Sequence, residues 1–186
     1  GVAIATVLGG VVGIVLGAAR GAWRAAEPTV ELLRAIPPIL TFPLFLLALG
    51  YGERSRLAAI VFGTTGIILF HVATGLARAP RERAEAVRLA GLRGWDAFAQ
   101  LHVHEALPAL VTGVRVALAA GLVIAVVTEM LIGARHGLGA RALDAQLAYR
   151  ADALWFVILL GGFAGMTMSA LVGALGRRLV RWGGAP

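Results

Sequence analysis

LVTGVRVALAAGLVIAVVTEMLI, residues Leu110 to Ile132, decides the fold. About 20 apolar residues, rising about 1.5 Å each, are what a helix needs to cross a hydrocarbon layer about 30 Å thick. Working outward, the same test picks out Val2 to Ala19, Leu57 to Ala77 and Leu154 to Leu175. A shorter apolar run, Ile36 to Leu49, contains Pro37, Pro38 and Pro43. It is expected to be a broken or tilted span that neighbouring helices must support. The expected fold class is all-α, a polytopic membrane helical bundle of about five spans forming one domain over residues 1–186.

Composition agrees with a lipid-embedded chain. Of 186 residues, 59% are apolar and 15% charged, with 25 Gly and a mean hydropathy of +0.85. Soluble domains run nearer to about 45–50% apolar with about a quarter of their residues charged. There is no Cys, which excludes thiolate catalysis, Cys-ligated metals and a disulfide scaffold. The 17 basic residues are all Arg. Without Lys the chain has neither the phosphate-binding Lys of a P-loop nor a Schiff-base nucleophile, so any ATP is hydrolysed by another polypeptide. The net charge of +7 is scattered through short polar gaps between apolar runs, which fits membrane topology and not a nucleic-acid surface.

Those arginines set the orientation. In a five-span arrangement one side collects Arg20, Arg24, Arg34, Arg78, Arg81, Arg83, Arg88, Arg93, Arg115, Arg177, Arg178 and Arg181. The other side has Arg54, Arg56, Arg135, Arg141 and Arg150. The positive-inside rule places the first set, and the segment from Arg78 to Glu105, in the cytoplasm. The first apolar run has its positive flank, Arg20 and Arg24, on its C-terminal side, the reverse of a signal peptide, so it is expected to be a true span with its N-terminus outside. The opening Gly1, at the edge of that run, is expected to reflect a chain lacking its natural start.

Helices in lipid gain nothing from hydrophobic burial against one another, so close packing requires small residues that let backbones approach. Three stripes at four-residue spacing supply them: Gly9, Gly13, Gly17 and Gly21; Gly113, Ala117, Gly121 and Ala125; Gly161, Gly165, Ser169 and Gly173. A tightly packed bundle is expected.

Polarity changes between Arg78 and Leu107. Pro80 is placed to open a helix, and Gly91 to end it in the left-handed conformation that other residues resist. Trp95, Phe98, Leu101 and His102 then recur at helical spacing. The pattern predicts a helix–turn–helix hairpin outside the membrane over residues 79–106. Short helices are marginal alone in water, so the hairpin needs a partner surface, for which Trp95 and Phe98 are natural anchors.

Here the chain resembles a known family. Glu85-Ala86-Val87, Gly91 and Leu101 are similar to the Glu-Ala-Ala-x3-Gly-x9-Ile loop of binding-protein-dependent ABC importer permeases. Leu33-Arg34-Ala35-Ile36-Pro37-Pro38, Pro43-Leu44, Gly50-Tyr51-Gly52-Glu53, Ala106-Leu107-Pro108, Glu129, Gly137-Leu138-Gly139, Asp152 and the closing Arg177 to Trp182 segment resemble the branch that imports aliphatic sulfonates, taurine, nitrate and bicarbonate. Two loop positions depart from the family pattern, Val87 and Val103-His104, and Ser169 stands where the branch is expected to carry an acidic residue. The resemblance implies a type I ABC importer transmembrane domain, usually of six spans, of which the first is missing here. It implies that the hairpin, through Glu85, Ala86, Gly91, Trp95 and Phe98, couples the bundle to a separate ABC ATPase that binds ATP and Mg. It also implies an extracytoplasmic solute-binding protein, a second permease copy, and a bacterial inner membrane. No cofactor, metal or nucleic acid is expected in this chain itself.

Single residues leave alternatives open. Glu85 is either a contact to the ATPase or a carboxylate offsetting its helix dipole. Glu129, near the outer boundary, is a gate or binding-protein contact, or a structural pair with Arg135 or Arg141. His71, mid-span, lines a path or hydrogen-bonds a neighbouring helix. Arg34 and Pro37 are candidates for the gate or path. His102 and His104, at i and i+2, face different sides of a helix and make no metal site. An ion-coupled carrier with the Pro-rich span as its broken binding helix, and an intramembrane enzyme using His71 and Glu129, are the competing readings.

Overall fold

A computed structural model describes residues 1–79, 81–92, 94–132 and 134–180, without the side chains of Arg81, Arg83, Ala84 and Arg88. The expectations for Pro80, Arg93 and the segment beyond Val180 lie outside the described residues. Every regular element among them is helical: α1 Val2–Ala18, α2 Arg20–Ala35, α3 Pro38–Leu49, α4 Glu53–Ala77, α5 Arg81–Leu89, α6 Gly94–Phe98, a π-helical turn Ala99–Val103, α7 His104–Ile132, α8 Leu138–Leu147 and α9 Ala151–Leu179.

The bundle is built around α4, which packs against α1 on one side and α7 on the other, while α9 lies against α7. Glycines set the first contact. A Cβ at Gly13 would stand 2.8 Å from that of Val72, and one at Gly17 2.9 Å from the Ala73 backbone, so α1 and α4 approach closer than any larger residue permits. Ala5, Ile68, Val72 and Ala117 fill the seam and are fully buried. The second stripe works the same way, with Gly113 against Ile68 and His71 and Gly121 against Val2 and Thr64. Two details differ from expectation. Gly21 faces open space, because α1 ends at Ala18 and the chain turns at Ala19. The third stripe meets only side-chain tips, a Cβ at Gly165 falling 3.3 Å from Leu122 Cδ2, while the tight contact on α9 is at Gly176, where a Cβ would fall 2.5 Å from Val111.

Three helical stretches among the described residues are long and apolar enough to cross a membrane: Glu53–Ala77, the continuous Gly94–Ile132, and Ala151–Leu179. α1, at 17 residues, reaches about 26 Å, a little short of the hydrocarbon thickness. The Pro-rich segment is not one short span but the second arm of a bent pair. α2 and α3 meet at 81°. Ile36 and Pro37, each followed by a proline, are extended, which stops α2, and Pro38 then opens α3. α2 escaped the apolar scan because it is amphipathic, with Trp23 and Val30 buried against α4 and four charged side chains outward. α8 escaped for a similar reason.

Sidedness is consistent at both ends. Arg20 donates to the Ala79 carbonyl at 2.9 Å, which brings the start of α2 beside the end of α4. Arg56, at the other end of α4, meets Glu129 near the end of α7. One arginine moves. Arg34 lies against Gly66 and Phe70, midway along the 25-residue α4, so it belongs to neither surface.

Candidate functional site

Three places hold the residues that the sequence singled out. The first is the hairpin. α5 ends before Gly91, whose φ of 72° lies in the left-handed region, and Gly94, with φ of 59°, makes the second sharp turn. Glu85 and Ala86 are exposed on α5. Trp95 is 73% exposed and stacks on Phe98 with centroids 5.4 Å apart, and Phe98 in turn meets His102 at 5.0 Å. Leu89, at the end of α5, is 90% exposed. A stacked aromatic pair with an exposed leucine, held by two glycine turns, is a surface made for burial against something else. The second helix does not stop as a separate element: through the π-helical turn it continues into α7, giving one rod of 39 residues. One helical stretch therefore carries both Trp95 and the apolar span of α7.

The second place is a clamp at the end of the bundle away from the hairpin. Glu129 is buried and bonds not to Arg135 or Arg141 but to Arg56, 73 residues away on α4. Its other oxygen accepts from the Gly139 N–H at 2.8 Å, at the first turn of α8, where the helix dipole favours a carboxylate. Arg56 also reaches Glu53 at 2.6 Å. Gly137 and Gly139 are required because Cβ atoms there would collide with the Glu129 side chain and the Val126 carbonyl. Arg56 and the Gly139 N–H meet the carboxylate, in place of Arg135 before α8 or Arg141 on it. Arg56 itself escaped the reading because nothing local links it to Glu129.

The third is a cavity of about 270 Å³ where α2 bends into α3. Arg34 and Thr65 line it, along with apolar side chains that include Leu33, Ile36, Phe62 and Leu69. Pro37 sets the bend, and Pro38 seats it on Gly63, where a Cβ would fall 2.6 Å from the Pro38 ring. The Arg34 guanidinium lies 3.9 Å above the Phe70 ring. A cation at this depth costs about 3 kcal/mol, of which a cation–π contact returns about 1 kcal/mol. Neither Thr65 nor the cavity was foreseen.

His71 corrects a further expectation. Its Nδ1 bonds the Ile67 carbonyl of its own helix at 2.8 Å, and its ring packs at Gly113 on α7. Glu129 is 16 residues farther along α7, about 24 Å away, so the two cannot share a reaction centre. Among the described residues no three His, Asp or Glu side chains gather as metal ligands.

Residues 9–182 match the family described as binding-protein-dependent transport system inner membrane component. The chain is 31% identical over 171 residues to a Brucella melitensis protein named a probable ABC transporter permease, covering 92% of this chain and 69% of that one. It is 25% identical to a Bacillus subtilis permease named for transport of aliphatic sulfonates, with 94% and 63% covered. It is 26% identical to the nitrate import permease of Leptolyngbya laminosa, with 97% and 64% covered. Among solved structures it resembles the inward-facing MetNI methionine ABC transporter, with a TM-score of 0.68 at 22% identity over 97% of this chain and 91% of that one, a likeness of fold.

Proposed function

The chain belongs to the family of binding-protein-dependent transport system inner membrane components, and we propose from that premise that its hairpin is the lever by which a separate ATPase drives the bundle. It is a multi-pass membrane permease subunit of an ABC importer for a small solute, a transport protein and not an enzyme. In the proposed assembly two copies of the chain enclose a path across the bacterial inner membrane. A solute-binding protein delivers cargo at the outer face, and ATP and Mg are bound by the ATPase. The cargo is a small oxyanion such as a sulfonate, taurine or nitrate.

The observation that carries the coupling role is the stack of the exposed Trp95 on the half-buried Phe98, on the Arg-rich side and continuous with a helix long and apolar enough to cross a membrane. Closure of two ATPases around ATP draws two such hairpins together. The rods that continue from them then rock the bundle between inward and outward openings. The experiment is co-purification of the permease with its ATPase. Trp95→Ala and Gly91→Asp are expected to abolish it while leaving the bundle folded; retention of the ATPase by both variants would overturn the coupling role. The carrier reading predicts uptake by this chain alone, without nucleotide.

A further inference from the structure

The cavity under the α2–α3 bend carries a ligand chemistry of its own. It lies at the depth of Gly63 and Gly66, midway along α4, far from either headgroup layer. Its polar equipment is one cation and one hydroxyl. Among the described residues no carboxylate pairs with Arg34, whose guanidinium rests on the Phe70 ring. The hydroxyl is unusual in being unused. Thr6, Thr64, Thr74, Thr112, Thr128 and Thr167 each donate to the carbonyl one turn back, as helical threonines in lipid do. Thr65 Oγ1 is buried without a partner, in the wall of this cavity.

A solute that satisfies this site must offer negative charge and a hydrogen-bond acceptor at one end. The rest of the wall is apolar, so the remainder of the solute must be apolar too. A cation is repelled, and a bare inorganic anion such as nitrate leaves the wall uncovered, which narrows the oxyanions of the proposed function to the organic ones. The volume falls just below the range of about 300–1,000 Å³ that holds drug-sized ligands, which limits the apolar part to a short chain. We propose that this cavity is a binding station in the membrane for a short-chain organic oxyanion, an alkanesulfonate or alkanecarboxylate, with its oxygens on Arg34 and Thr65 and its chain along Phe62 and Leu69. The proposal rests on the transport reading, whose oxyanion class it takes over, and adds the place in the bundle and the residues that hold the solute. A phospholipid headgroup offers similar oxygens, but it sits at the interface and not at mid-depth.

The test is equilibrium binding of radiolabelled butane-1-sulfonate to the assembled transporter in phosphatidylcholine nanodiscs, with ATP-driven uptake of the same probe followed in proteoliposomes. Saturable binding is expected in the wild type, weakened at least tenfold by Arg34→Gln and severalfold by Thr65→Val, and less by Arg34→Lys, which keeps the charge. Butylammonium is expected not to compete. Unchanged melting of the variants keeps the comparison free of folding defects, and Thr65→Val, near-isosteric, provides an independent arm. Absence of wild-type binding, or equal binding by Arg34→Gln and Thr65→Val, would overturn the site. So would displacement of the probe by phosphatidylglycerol added to the nanodiscs, which would make the occupant a lipid. If uptake survives in Arg34→Gln the site fails while the transport reading stands; if the wild type binds the probe but moves it without ATP, the transport reading fails instead.

Discussion

Replacing Glu129 by Gln strips the charge from the Arg56–Glu129 clamp while keeping its shape. The carboxylate and Arg56 are 11% and 15% exposed, so the pair is largely out of water. Removing one partner of a buried pair costs about 3–5 kcal/mol, because the other charge is left uncompensated. Arg56 retains Glu53, but that carboxylate is 77% exposed, and a pair of this kind offsets less than about 1 kcal/mol. Gln still accepts from the Gly139 N–H, so that bond survives. The expected loss is therefore about 3 kcal/mol, or about 6–12 °C in melting temperature for a chain of this size. The assay is thermal unfolding in maltoside micelles followed by tryptophan fluorescence, run as a cycle with Arg56→Met. The double variant is expected to be about 2 kcal/mol more stable than the sum of the single effects, since no charge is then buried alone. A Glu129→Gln protein that melts within about 2 °C of wild type, or effects that simply add, would refute the clamp.

Gly91→Ala should cost about 1 kcal/mol, confined to the hairpin, because its left-handed backbone penalises a Cβ; faster amide exchange over residues 85–92 with an unchanged bundle is the readout. Gly139→Ala forces a Cβ to within 2.6 Å of that of Glu129 and against the Val126 carbonyl, and is expected to destabilise by about 1–3 kcal/mol, seen as a lower melting temperature and yield. Ser169→Asp places a carboxylate where Ser169 now accepts from Arg115 at 3.3 Å; it should raise stability by up to about 1 kcal/mol, and the gain should vanish in an Arg115→Met background. Gly63→Val should disrupt the bend by driving its side chain into Pro38 and Ile124, lowering uptake even where the protein still inserts.

The parts of this fold that one-dimensional patterns encode were readable from the chain. Apolar length located the spans, because a hydrocarbon layer imposes it, and four-residue glycine spacing located the α1–α4 and α4–α7 seams, because backbone approach imposes that. Gly91 was readable for a similar reason: a left-handed turn selects glycine whatever surrounds it. Pairings between distant segments were not readable. Arg56 and Glu129 lie 73 residues apart, and only the packing of α4 against α7 brings them together. Arg34 was counted with the cytoplasmic arginines because charge near an apolar run ordinarily marks its end. In fact α2 runs on past the end of α4 and carries Arg34 to the bend beside the middle of that helix, where it stays exposed on one side and rests on the Phe70 ring. Thr65 was silent in the sequence for a simpler reason, since a helical threonine usually satisfies itself.

The central claim is that the hairpin faces the cytoplasm and is covered by an ATPase. Leu89→Cys tests it directly, since the chain has no other cysteine and position 89 is 90% exposed. A membrane-impermeant maleimide is expected to label this cysteine in inside-out vesicles and not in right-side-out ones, and addition of the ATPase should suppress the labelling. Labelling from the outer face, or labelling that the ATPase leaves unchanged, would contradict the account.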